Sequence, residues 1–137
     1  MNYLLQAIIT KISGSALFND VGGRVYCGKA QQGAEFPYIV FFSVGGYIER
    51  TFTERYSEYQ IQFSLFSASE SLVEISTMHK DLISLFDECS MSITGSTLQW
   101  MRQVGEPQQM VDEITTPTGE AAIHHWAQDF NVRTSLN

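Results

Sequence analysis

Hydrophobic positions change period along this chain, and each change marks an element. Tyr3, Leu4, Ala7, Ile8 and Ile12 recur at spacings of three and four, which is one face of a helix, capped by Asn2 and stopped by Gly14. A second, short helical turn follows Ser15, with Leu17 and Phe18 turned inward, before Gly22-Gly23 lets the chain reverse. Arg24–Cys27 reads as a short strand and Gly28–Phe36 as a loop. Pro37 then suits the first position of a strand, where no amide hydrogen is needed. Tyr38–Val44 is apolar on both faces, as in a strand covered from two sides, and one layer of helices supplies only one cover. Gly45-Gly46 marks a turn or bulge, and Tyr47–Arg55 is a polar arm carrying the near-repeat ERTFTER. In Tyr56–Phe66 alternation is strict: Tyr59, Ile61, Phe63 and Leu65 fall on one face, Glu58, Gln60, Gln62 and Ser64 on the other.

Ser67-Ala68-Ser69-Glu70 has the spacing of a capping box, and Leu72, Ile75, Met78, Leu82, Leu85, Phe86 and Cys89 form the stripe of a helix running to about Ser90. Met91–Ser96 turns the chain. Leu98–Val104 and Ile123–Thr134 read as strands, the second with Trp126, Phe130 and Val132 on a common face. Between them Gly105–Glu120 holds two prolines and no apolar period, which predicts a long loop, ordered by a partner. The expected order is α-β-β-β-α-β-β: an α+β fold in a single domain, 1–137, with an antiparallel sheet of about five strands and two helices packed on one face.

Bulk composition narrows the function classes. With 137 residues, 44% hydrophobic and 17% charged, the chain fits one core. No apolar run reaches the ~20 residues of a membrane span, and the first residues lack the basic start and cleavage site of a secretory signal, so the expectation is a protein without membrane contact that stays in the cytosol. Cys27 and Cys89 lack metal-knuckle spacing and are expected as reduced, packed thiols. The net charge of −7, from 15 acidic and 8 basic residues, leaves too few cations for a basic face, which argues against tight DNA binding.

Candidate chemistry is sparse. His124-His125 with Asp129 is the one cluster that suggests a catalytic or metal site, but adjacent strand residues point to opposite faces, and His125 and Asp129 stand too far apart to meet. A solvated strand edge with one half-buried histidine is the simpler reading. His79, on the helix stripe, reads as a packed histidine. Neither glycine pair begins a phosphate-binding helix. The expectation is therefore no enzyme, no catalytic residue, no cofactor and no metal. What remains is surface. Phe52 at the centre of a polar arm, flanked by Arg50 and Arg55, points to a subunit interface. Glu106, Met110, Val111, Asp112 and Glu113 belong to the expected partner-binding loop.

Gly23-Arg24-Val25-Tyr26, Gln32-Gly33 and Phe36-Pro37-Tyr38-Ile39-Val40, in that order and spacing, resemble the signature of the tail-completion, or tail-terminator, proteins of long-tailed bacteriophages and prophages. The later alternating strand, the Ser-x-x-Glu helix start and the final strand rich in large residues agree with the family. Gln31 stands where that family often has proline, and Gly105–Glu120 is longer and more acidic than its usual connection. The resemblance implies a structural virion protein: a hexameric ring at the head-proximal end of the tail, assembled in the host cytoplasm. Its implied partners are its own copies, the tail-tube protein and the head connector, with DNA passing through without specific binding. A head-closure or connector protein is the alternative within the virion. A small bacterial enzyme or ligand-binding domain using the His124/His125 region is the alternative from another class.

Overall fold

Among the described residues three helices and six strands follow in the order α1 (Asn2–Ile12), α2 (Ala16–Asp20), β1 (Val25–Cys27), β2 (Tyr38–Arg50), β3 (Arg55–Ser67), α3 (Val73–Phe86), β4 (Ser92–Ile93), β5 (Ser96–Thr116) and β6 (Gly119–Leu136). The computed structural model describes residues 2–69, 71–116 and 119–137, with side chains throughout except at 2, 113–116 and 119–121. The strands form one sheet in the order β1-β2-β3-β6-β5-β4. The fold is α+β, as the pattern predicts, with differences of detail. The helices number three, β4 adds a two-residue strand, and β1 runs parallel to β2, so the sheet is mixed rather than wholly antiparallel.

The alternating residues do what their period demands. Ile61, Phe63 and Leu65 of β3 are fully buried, and so are Ile39 and Phe41 of β2 and Phe130 and Val132 of β6. Helix α3 lays Ile75, Met78, Leu82 and Phe86 onto this face. Phe63 is the hub: its ring lies 5.7 Å from Phe41, 5.1 Å from Phe86 and 5.5 Å from Phe130, mixing offset stacks with an edge contact. Helix α1 adds Leu4, Ile8 and Ile12, whereas Tyr3, predicted on the same stripe, is exposed. The proposed Asn2 cap rests on a side chain outside the described residues.

Local chemistry explains the chain reversals. The Ser15 hydroxyl accepts from the Phe18 amide at 3.2 Å and so caps α2. Gly23, at φ +79, stands where a Cβ would press on the Phe18 ring, so both backbone handedness and space call for glycine. Arg24 then reaches across the β1–β2 loop. Its Nε donates to the Pro37 carbonyl at 3.0 Å and its Nη2 to that of Phe36 at 3.4 Å. The Arg and the Phe-Pro-Tyr of the opening signature are thus two halves of one clamp that sets β2 beside β1.

Two expectations on the second half are corrected, and a third, the capping box of Ser67 with Glu70, rests on a residue outside the described ones. The Ser67 hydroxyl donates to the Glu74 carboxylate at 2.7 Å and accepts from the Ser69 amide. Helix α3 starts only at Val73 and ends at Phe86. The expected loop Gly105–Glu120 is instead strand: β5 continues to Thr116 and pairs with β6 through Gln108↔Ala127, Asp112↔Ile123 and Thr116↔Gly119. The ladder tolerates Pro107 because the register shifts between Val104 and Gln108, leaving Gly105, Glu106 and Pro107 in an irregularity where the missing amide hydrogen is not needed.

Candidate functional site

Two long hairpins, β2–β3 and β5–β6, run to opposite ends of the sheet. In the β2–β3 hairpin Arg50 pairs Arg55, and residues 51–54 form the turn. Thr51 locks that turn: its amide donates to the Glu54 carbonyl at 2.8 Å, and its hydroxyl accepts from the Glu54 amide at 3.0 Å. Phe52 projects from the turn with 110% relative exposure. The polar arm expected over Tyr47–Arg55 is therefore a hairpin end, with Arg50, Phe52 and Arg55 brought together at its tip. Neither arginine has a carboxylate within ion-pair distance among the described residues. Like charges placed directly across a strand pair repel.

Below the tip lies a network that the sequence did not disclose. Arg133 of β6 donates to Glu58 at 2.7 Å and to Glu49 at 3.0 Å, and its guanidinium lies 4.5 Å from the centre of the Tyr56 ring. The Tyr47 hydroxyl donates to Glu58 at 2.6 Å. That hydrogen bond foremost, opposed by burial and aided by the Arg133 guanidinium, holds the Glu58 carboxyl below its ordinary range. Glu58 and Arg133 are 75 residues apart in sequence. The only signal was the position of Glu58 on the polar face of an alternating strand.

At the opposite end β6 leaves β3 after the pair Ser67↔His124, and the β5–β6 ribbon continues alone from Asp112↔Ile123 to Thr116↔Gly119. Glu106, Val111 and Asp112 are exposed and Met110 is half-buried. Glu113 lies on the backbone ladder opposite Ala122. The predicted partner-binding residues thus belong to the root and start of a projecting β-ribbon. Gln128, fully buried, anchors the root: its Nε2 faces the carbonyls of Val104 at 3.3 Å and Gly105 at 3.1 Å, and its Oε1 meets His79 Nε2 at 2.9 Å.

The sheet face away from the helices explains the strand that is apolar on both sides. In one lateral row Tyr38, Phe66, His125 and Met110 stand in register on β2, β3, β6 and β5. Tyr38 stacks on Phe66 at 4.7 Å, Phe66 on His125 at 4.2 Å, and Phe36 leans on Tyr38 at 5.2 Å. His125 is depressed in basicity first by burial, with the Asp112 carboxylate pulling weakly the other way.

The histidine pair is no strand edge, contrary to expectation, since β6 lies between β3 and β5. His124 is buried and His125 half-buried, with opposite β3 partners Ser67 and Phe66. Asp129 accepts from Gln62 Nε2 at 3.0 Å rather than meeting His125. Among the described residues no group of three or more His, Cys, Asp or Glu is placed to hold a metal ion. Cys27 is exposed rather than packed, and Cys89 is half-buried; both are free thiols. Asp20, at the end of α2, is pushed up to about 6 by burial and then by the neighbouring Asp81 carboxyl. No helix among the described residues is long and apolar enough to cross a membrane.

No family model and no curated protein matches the chain. Solved structures do. A chain from the virion of a native gene transfer agent particle superposes with a TM-score of 0.71 at 11% identity, covering 96% of this chain and 94% of the other. A second solved chain superposes with a TM-score of 0.50, also at 11% identity and over the same shares. At such identity the likeness is one of fold, shared over 96% of this chain with a chain of that virion.

Proposed function

We propose that this chain is a structural virion subunit, a single tail-terminator-like domain that assembles into a hexameric ring closing the tail tube and joining it to the head connector. The observation that carries the reading is the end-to-end fold likeness to a chain of the gene transfer agent virion. The Arg24 clamp on Phe36 and Pro37 supports it by giving the resembling sequence signature a structural reason. So do two long hairpins running to opposite ends of the sheet, the shape a subunit needs to contact neighbours on two sides. The β2–β3 tip with Arg50, Phe52 and Arg55 serves as a subunit interface, and the β5–β6 ribbon faces partners. The role is structural, and residence is in the virion at the head-proximal end of the tail.

Electron microscopy of the purified protein, with mixing against separately purified tail-tube and connector proteins, tests this reading. Closed rings that cap tube ends are expected. A monomer that caps nothing overturns it, and rings that bind only the connector move the protein to a head-closure role. Genome passage adds a second measurement. Six copies carry a formal charge of 6 × −7 = −42, so duplex DNA finds no net counterion-release drive to bind. Micromolar binding that weakens steeply with salt would show a basic lining and end the passive-channel reading.

A further inference from the structure

We propose that the β2–β3 tip of one copy docks on the row of aromatic rings beside Asp112 of a second copy, Phe52 seating on the Phe66–His125 stack while Arg50 and Arg55 meet the Asp112 carboxylate. The inference rests on the ring reading and deepens it by assigning both halves of the contact.

Each half is incomplete alone, and in opposite senses. The donor tip has two arginines held face to face without an ion-pair partner among the described residues, and an aromatic ring wholly in solvent. Hydrogen bonds through Thr51 fix the turn before any partner arrives, so little ordering entropy remains to be lost on docking. The receptor has rings stacked on one another, with centroids 4.7 and 4.2 Å apart, on the sheet face without helices, and His125 Nε2 there is buried without a hydrogen-bond partner among the described residues. Asp112, exposed and near enough to act on the His125 ring, supplies the charge opposite to the tip. Cation and aromatic on one side, carboxylate and aromatic on the other, are complementary.

Position suits a heterologous contact. The tip lies at the end of the sheet where Tyr56 pairs Ser135, and the receptor at the end where Ser67 pairs His124. In the ring a copy presents its tip to one neighbour and its receptor to another, the head-to-tail arrangement that closes when its rotation does. A second copy is the occupant that the chain's own charge pattern selects.

The test uses full-length protein and light scattering. Arg50→Glu with Arg55→Glu reverses the tip, and Asp112→Arg reverses the receptor. Each variant alone confronts like charges and should self-associate about a hundredfold more weakly than wild type, or worse. An equimolar mixture of the two restores opposite charges at every contact of an alternating ring and should recover the wild-type assembly. Recovery also shows that both variants fold. Variants that assemble like wild type, or a mixture that stays dissociated, overturn the contact while leaving the ring intact as a reading. A wild-type protein that remains monomeric at its highest soluble concentration overturns both.

Discussion

The two long hairpins differ in what holds them. The β2–β3 hairpin is flanked by β6 almost to its end, with Tyr56↔Ser135 as the last lateral pair, so little more than the turn protrudes. The β5–β6 hairpin outruns its neighbour by the ladder from Asp112↔Ile123 onward, and there each strand has only the other. One hairpin is a fixed peg set into a sheet; the other is a ribbon whose stability depends on its root. Two-stranded ribbons in water are marginal without further packing, which puts the demand on Gln128 and on the irregularity at Gly105.

Breaking the supported hairpin carries the largest expected effect. A Cβ at Gly46 would fall inside the Glu58 backbone carbonyl on the paired strand, and a backbone neighbour cannot rotate away. Gly46→Ala should cost about 3 to 4 kcal/mol, through forced separation of β2 from β3. Urea unfolding measures it, and a loss below 1 kcal/mol, on the order of an ordinary surface change, would mean that the ladder there yields easily.

The ribbon should fail differently. Gln128→Leu keeps the volume but leaves the Val104 and Gly105 carbonyls without their side-chain donor, at a cost of about 2 to 3 kcal/mol. Trp100 and Trp126 lie on β5 and β6, Trp126 two residues from Gln128, so tryptophan emission reports the sheet around the root of this hairpin. In the variant the emission change should precede the far-ultraviolet circular dichroism transition on heating. Coincident transitions would show that root and sheet unfold as one unit.

How legible each hairpin was follows from the same difference. In β3 one face is buried by α3 and the other is polar, so the period of two is written in Tyr59, Ile61, Phe63 and Leu65. Beyond His124 the β5–β6 ribbon has no third strand beside it among the described residues, so the sheet imposes no alternation there. Backbone pairing then holds a strand that Gly105 and Pro107 disguise as a loop. The order of the main elements, the arm and its exposed Phe52 were readable for the first reason. The parallel β1 pairing, the Arg133–Glu58–Glu49 network and the Tyr38–Phe66–His125 row were not, because each joins residues whose approach depends on strand order, and strand order leaves no local trace.

Acid sharpens the contrast. The Glu58 carboxyl, lowered first by the Tyr47 hydroxyl and then by Arg133, has a folded value below the 4.5 of an unperturbed glutamate. Its stabilising contribution is therefore fully present above about pH 4.5 and is lost as pH falls through the folded value. Wild type should melt higher than Glu58→Gln at neutral pH, and the gap should close in acid. A gap that stays constant with pH would mean that Glu58 stabilises by packing rather than by charge.

The smallest effect on folding should come from the most conspicuous residue. Phe52, with its ring wholly in solvent, contributes no burial within the subunit, and the turn beneath it is closed by Thr51 and Glu54 backbone and hydroxyl bonds that do not involve the ring. Phe52→Ser should leave the melting temperature of the dissociated subunit unchanged within about 2 °C, because removing an exposed aromatic ring forfeits no intramolecular contact. The same change should weaken self-association, since in the docked state that ring would be the apolar part of the peg. Melting and light scattering on one preparation separate the two roles. A drop in melting temperature of the dissociated subunit would show that Phe52 works within the fold, and unchanged association would remove it from the interface, leaving Arg50 and Arg55 to carry any contact at that end.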